Sequence, residues 1–101
     1  MLESGLKKLE ELLSTTKRDG TWAHDINYLT MDIVEGMIEQ CPSPDYVNER
    51  VRPLLVTAHE LVQQVSHEGD YGLYINHFSE RIGSRIAEVD EYISSPLITR
   101  L

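Results

Sequence analysis

The sequence predicts an all-α fold: a small antiparallel bundle of about four helices, the third kinked or broken near Pro53. Three observations carry that reading. Apolar residues recur every three or four positions along four segments, the spacing of a helix with one buried face. Three breaks rich in Gly, Pro, Ser and Asp separate those segments. No run alternates apolar and polar residues between turn signals, so strands are not expected.

The first segment runs from about Leu2 to Thr15. Leu2, Leu6, Leu9 and Leu13 fall on one face, Leu12 widens it, and Glu10 and Glu11 lie outside. Ser14 to Gly20 reads as a connection. The second helix is expected from Thr21, as N-cap, to about Gln40, with Trp22, Ile26, Leu29, Ile33 and Met37 inward. Cys41-Pro42-Ser43-Pro44 ends it, and Ser43-Pro44 supplies an N-cap and a first-turn proline for the next.

In the third helix, Pro53 removes a hydrogen bond and crowds the preceding turn. Val47, Val51, Leu54, Ala58, Leu61 and Val65 nevertheless keep one phase across it. A kinked helix from Pro44 to about Ser66 is therefore expected in preference to two helices. Ser66 to Gly72 is the third connection. The fourth helix carries Tyr71, Ile75, Phe78, Ile82, Ile86, Val89 and Ile93 in line, with Gly83 positioned for a close approach. Ser94-Ser95-Pro96 closes it, leaving a short apolar tail over 96–101 with Leu97, Ile98 and Leu101.

At 101 residues a single domain over 1–101 is expected. A composition 41% hydrophobic and 26% charged excludes a disordered tail. No apolar run of about 18 residues is present, so no membrane span is expected. Met1-Leu2-Glu3-Ser4-Gly5 shows no secretory pattern, and the single cysteine, Cys41, fits a reducing, cytoplasmic compartment. With 17 acidic residues against 9 Lys plus Arg, the net charge of −8 argues against direct nucleic-acid binding.

Catalytic and cofactor motifs are not found. None of His24, His59, His67 and His77 has Glu three positions before it, as a di-iron carboxylate bundle would require. His59-Glu60 opens like a zinc-protease signature, but Gln63 stands where the second histidine belongs. Cys41 has no histidine beside it in sequence and reads as a half-buried structural residue. Glu68 and Asp70 would repel phosphate from the Gly69–Gly72 turn. The expectation is a non-enzyme with no cofactor and no metal.

Charge is unevenly placed. Asp19 to Glu49 holds seven acids and no Lys or Arg, which is −7 of the −8. At about 100° per residue from Trp22, Asp25, Asp32, Glu35 and Glu39 fall between about 220° and 300°, nearly opposite the predicted core. Tyr28 lands at about 240°, inside that stripe. One reading is a solvated face; the other is a docking surface for a basic protein, with Tyr28 as its aromatic anchor. On the fourth helix Tyr74, Arg81, Arg85 and Tyr92 form a second ridge of residue types common at interfaces. Its bland counterpart is that these side chains cover the core edge.

The function expected is a protein–protein interaction module, such as an adaptor, a chaperone-like protein or an inhibitor. The alternatives are a nucleic-acid mimic that inhibits a DNA- or RNA-binding protein, and a structural homodimer with no further activity, whose bundle completes only on pairing. If both surfaces are real, the acidic stripe of one protomer could also meet the Tyr/Arg ridge of another.

Overall fold

The computed structural model describes residues 2–94, and among them the chain forms four helical segments and no strand. The predicted tail over 96–101 lies outside the described residues.

Helix α1 (Leu2–Leu13) buries Leu2, Leu6 and Leu9. Its last carbonyls have no partners within the helix and are met by the connection that follows. Thr15 and the Trp22 indole each donate to the Leu12 carbonyl at 2.8 Å. Ser14 donates to Glu11 at 2.8 Å and Arg18 to Leu13 at 3.0 Å. The polar run after α1 therefore works as a cap.

Helix α2 (Gly20–Gln40) is capped by Asp19, where Thr21 was expected. Asp19 has extended backbone and its carboxylate accepts from the Trp22 N–H at 3.0 Å, while Thr21 already lies within the first turn. Gly20 is required there, because a Cβ would sit 1.8 Å from the Asp70 carbonyl oxygen. At the other end Cys41 closes the helix in the left-handed conformation, φ 47°. That cap turns the thiol outward to donate to the Ile38 carbonyl, so Cys41 is exposed and not half-buried as expected.

The third helix, α3, spans residues 44–63 as one bent rod: α-helical Pro44–Tyr46, a π-helical turn over Val47–Val51, then α-helical Arg52–Gln63. Ser43 caps it, accepting from the Tyr46 N–H at 3.1 Å. The π turn explains how Pro53 is carried. In that turn the Arg52 N–H reaches five residues back to the Val47 carbonyl, widening the backbone just before the ring that would otherwise crowd it. Val47, Val51, Leu55, Ala58, Val62 and Val65 are buried. Leu54 and Leu61, which the periodicity placed inward, pack only partly against the core. Val47, Val51, Ala58 and Val65 are inward as predicted, and Leu55 and Val62 take the places of Leu54 and Leu61.

Helix α4 (Ile75–Ser94) follows a 3-10 turn over Gly72–Tyr74. Tyr71, which the periodicity put at the head of the apolar line, is left-handed, φ 63°, and stands ahead of the helix. Ile75, Phe78, Ile82 and Val89 are buried; Ile86 and Ile93 pack on them from the edge. Gly83 does mark a close approach, made by the His59 imidazole, whose Nε2 would lie 3.3 Å from an added Cβ.

Side-chain pairs fix the helix order that periodicity leaves open. Leu12 meets Trp22 while Leu2 lies beside Gly36, so α1 and α2 are antiparallel. Arg52 meets Asp90 and His59 meets Gly83, so α3 and α4 are antiparallel as well. His24 stacks on Tyr71, Asn27 meets Arg85, and Pro42 meets Tyr92, so α2 and α4 run parallel. Each helix thus reverses the one before it, while the 41–43 connection crosses the bundle diagonally. The packing order is α1, α2, α4, α3, with α1 closing onto α3. One hydrophobic cluster, from Leu2 to Val89, fills the middle.

Candidate functional site

The outward surface of α2 is where the predicted residues gather. Its buried face is wider than the sequence implies, because Ala23, Thr30 and Val34 are inward along with Trp22, Ile26, Ile33 and Met37. On the helical wheel these positions run from 0° to about 120°, so the outward midline lies near 240°, the position of Tyr28 itself. Tyr28 is 54% exposed. Asp25, Asp32, Glu35 and Glu39 are all exposed around it.

The wider core divides the acids between two grooves. Asp25 and Asp32 face α1 in a groove of about 720 Å³, together with Lys8, Glu11, Leu12 and Leu29. Glu35 faces α4 in a groove of about 450 Å³ shared with Arg81, Arg85 and Glu88. Tyr28 and His24 separate the first groove from a smaller cleft against Phe78, His77 and Met31. Glu39 lies near the C-terminal end of α2, in neither groove.

An aromatic cluster supports Tyr28. The His24 ring stacks on Tyr71 at 4.3 Å and meets Tyr28 edge-on at 4.8 Å. Tyr71 and Tyr74 continue onto Phe78 with centroids 6.1 and 6.3 Å away. Such offset and edge contacts each add about 0.5–1.5 kcal/mol beyond area burial. They hold the exposed rings of Tyr28, Tyr71 and Tyr74 in a fixed arrangement at one end of the bundle. Leu73, on the adjoining turn, is 92% exposed. His24 is separated from Tyr28 by one helical turn, a signal the sequence carried; Tyr71 joins them only through the fold.

The second predicted ridge is divided by the structure. Tyr74 and Arg81 are exposed. Arg85 is half-buried and tied to α2: its Nη1 donates to the Asn27 carbonyl at 3.1 Å, to Asn27 Oδ1 at 2.6 Å and to Thr30 Oγ1 at 3.2 Å. Burial, and then the charge of Arg81, pull its pKa below the ordinary value. Tyr92 is also half-buried, and its hydroxyl donates to the Pro42 carbonyl at 2.5 Å. Arg85 and Tyr92 therefore hold α4 to α2, and Tyr74 and Arg81 are the members of that ridge turned to solvent.

Three acids elsewhere are paired with arginine. Arg50 of α3 bridges Glu3 and Glu10 of α1 at 2.7 and 2.9 Å. Its hydrogen bonds hold both carboxyls below their ordinary range. The Tyr46 hydroxyl also bonds Glu3, which pushes the phenol pKa up. Arg52 reaches Asp90 at 2.5 Å. Among the described residues no Lys or Arg ion-pairs with Asp25, Asp32, Glu35 or Glu39; Asp25 meets only the His24 imidazole, at 3.3 Å.

Among the described residues no group of three or more His, Cys, Asp and Glu could hold a metal. The histidines are scattered over the aromatic cluster, the α3–α4 seam and the turn before α4, where His67 Nε2 lies 3.2 Å from Asn76 Oδ1. No helix is long and apolar enough to cross a membrane. Comparison with protein-family models, with curated proteins and with solved structures finds no match to this chain.

Proposed function

We propose that this chain is a non-catalytic protein-interaction module that docks a basic protein through the acidic face of α2, with Tyr28 as its anchor. The observation that supports this most is the contrast in charge compensation. Glu3, Glu10 and Asp90 each have an arginine, while Asp25, Asp32, Glu35 and Glu39 surround an exposed tyrosine without one. Like charges one helical turn apart cost a few tenths of a kcal/mol each. A cationic partner relieves that repulsion, and a rigid aromatic at the centre supplies contact area at low entropic cost.

On this reading Tyr74 and Arg81 border the contact and Arg85 and Tyr92 brace it from behind. The single cysteine supports a reducing, cytoplasmic compartment for that activity. The test is affinity capture from the native cell with wild type beside a Tyr28→Ala/Glu35→Lys double variant, washed at low and at high salt. The reading expects a basic protein retained by wild type at low salt, released by high salt, and absent from the double variant. Capture by both chains alike refutes it.

A further inference from the structure

Three of the four seams between neighbouring helices are stitched by polar side chains. Arg50 closes α1 on α3, Arg52 closes α3 on α4, and Arg85 closes α2 on α4. The α1–α2 seam differs. Its Trp22-to-Leu12 hydrogen bond sits at one end, and among the described residues no ion pair crosses it. Along its length Leu12 and Leu29 form an apolar floor that the core covers only in part. A smaller recess beside Ser4 and Gly5 shares Lys8, Leu29 and Asp32 with the main groove, so the two are continuous.

We propose that this α1–α2 groove takes about two turns of a cationic amphipathic helix from a protein partner. The proposal rests on the reading of the acidic α2 face as a docking surface and narrows it to one side of α2. Charge complementarity selects the occupant: Glu11, Asp25 and Asp32 stand along the rim against Lys8, which leaves −2. Length agrees, since the groove follows α1 from Ser4 to Leu12, about 12 Å at 1.5 Å per residue. An extended peptide would find no sheet edge to receive its backbone hydrogen bonds, whereas a helix satisfies them internally. Apolar side chains at i, i+3 and i+4 meet Leu12 and Leu29. Lys or Arg residues about seven apart reach Asp25 and Asp32, which are themselves two turns apart.

The test uses the full chain and a labelled synthetic helix with Leu on one face and Lys flanking it, read by fluorescence anisotropy. A copy with Glu in place of every Lys serves as control, and circular dichroism checks that each protein variant is folded. Asp25→Asn/Asp32→Asn should raise Kd about 3- to 30-fold, the loss expected of two exposed ion pairs. Glu35→Gln/Glu39→Gln, the first facing α4 and the second near the C-terminal end of α2 outside the groove, should change Kd less than about twofold. The Glu peptide should not bind. Equal losses in the two double variants, or a larger loss in the second, overturn the groove while leaving a basic partner on another part of α2. No binding of the Lys peptide overturns the groove outright, and the capture experiment then decides separately whether any basic partner exists.

Discussion

Replacing Arg85 with Met separates a structural arginine from a docking one. Met keeps most of the apolar stem and removes the guanidinium that donates to Asn27 and Thr30 across the α2–α4 seam. Hydrogen bonds to a charged group contribute about 1.5–3 kcal/mol net. Two effects reduce that figure here. The half-buried guanidinium regains solvation on unfolding, as its lowered pKa indicates. The Thr30 hydroxyl also keeps its own bond to the Asn27 carbonyl at 2.8 Å, so it is not stranded. The expected loss is about 1–2 kcal/mol. For a chain of this size each kcal/mol lowers Tm by about 4–8 °C. Urea unfolding followed by circular dichroism measures it, with Arg81→Met as the exposed reference, expected within about 0.5 kcal/mol of wild type. If Arg85→Met is no less stable than Arg81→Met, the assignment of Arg85 to the seam is wrong.

Capping offers a second check: Asp19→Ala should cost about 0.5–2 kcal/mol and Thr21→Ala much less, read from the same urea curves. Gly20→Ala should destabilise by more than about 2 kcal/mol, because its Cβ would meet the Asp70 backbone, which cannot move without unstacking Tyr71 from His24; a loss of near-ultraviolet dichroism should accompany it. The Arg50 bridge predicts a pH dependence. Glu3 and Glu10 are held below their ordinary 4.5, so the stability they add is present above that pH and is lost as pH falls through the lowered values. Protonating the unpaired acids of this −8 chain acts in the opposite sense, so the readout is a difference. Tm should fall more steeply below pH 5 in wild type than in Arg50→Gln, and parallel curves refute the bridge.

The fold was legible because helix formation here follows local pattern. The Leu2–Leu6–Leu9 and Ile75–Phe78–Ile82 series each bury one face, as their spacing requires. The continuous phase across Pro53 correctly implied a single bent helix, although the π turn that makes it feasible, and the resulting inward turn of Leu55 and Val62, left no mark in the periodicity. The N-cap of α2 was misplaced by two residues because Asp19 and Thr21 are both capping types, and Tyr71 left the apolar line because its backbone is left-handed. The acidic surface around Tyr28 could be placed on α2 from the sequence. Its partition between two grooves could not, since that depends on α1 and α4 packing along different edges of α2. Arg85 and Tyr92 have hot-spot side chains, yet their partners lie 50 or more residues away in sequence, so their bracing role becomes visible only in three dimensions.

Amide chemical shifts of the labelled chain, followed as the cationic amphipathic peptide is added, test the central claim most directly. Changes should be confined to residues 4–12 of α1 and 24–32 of α2, centred on Tyr28 and suppressed by salt. Changes centred on α3, or spread evenly over every acidic residue including the arginine-paired Glu3, Glu10 and Asp90, would contradict it.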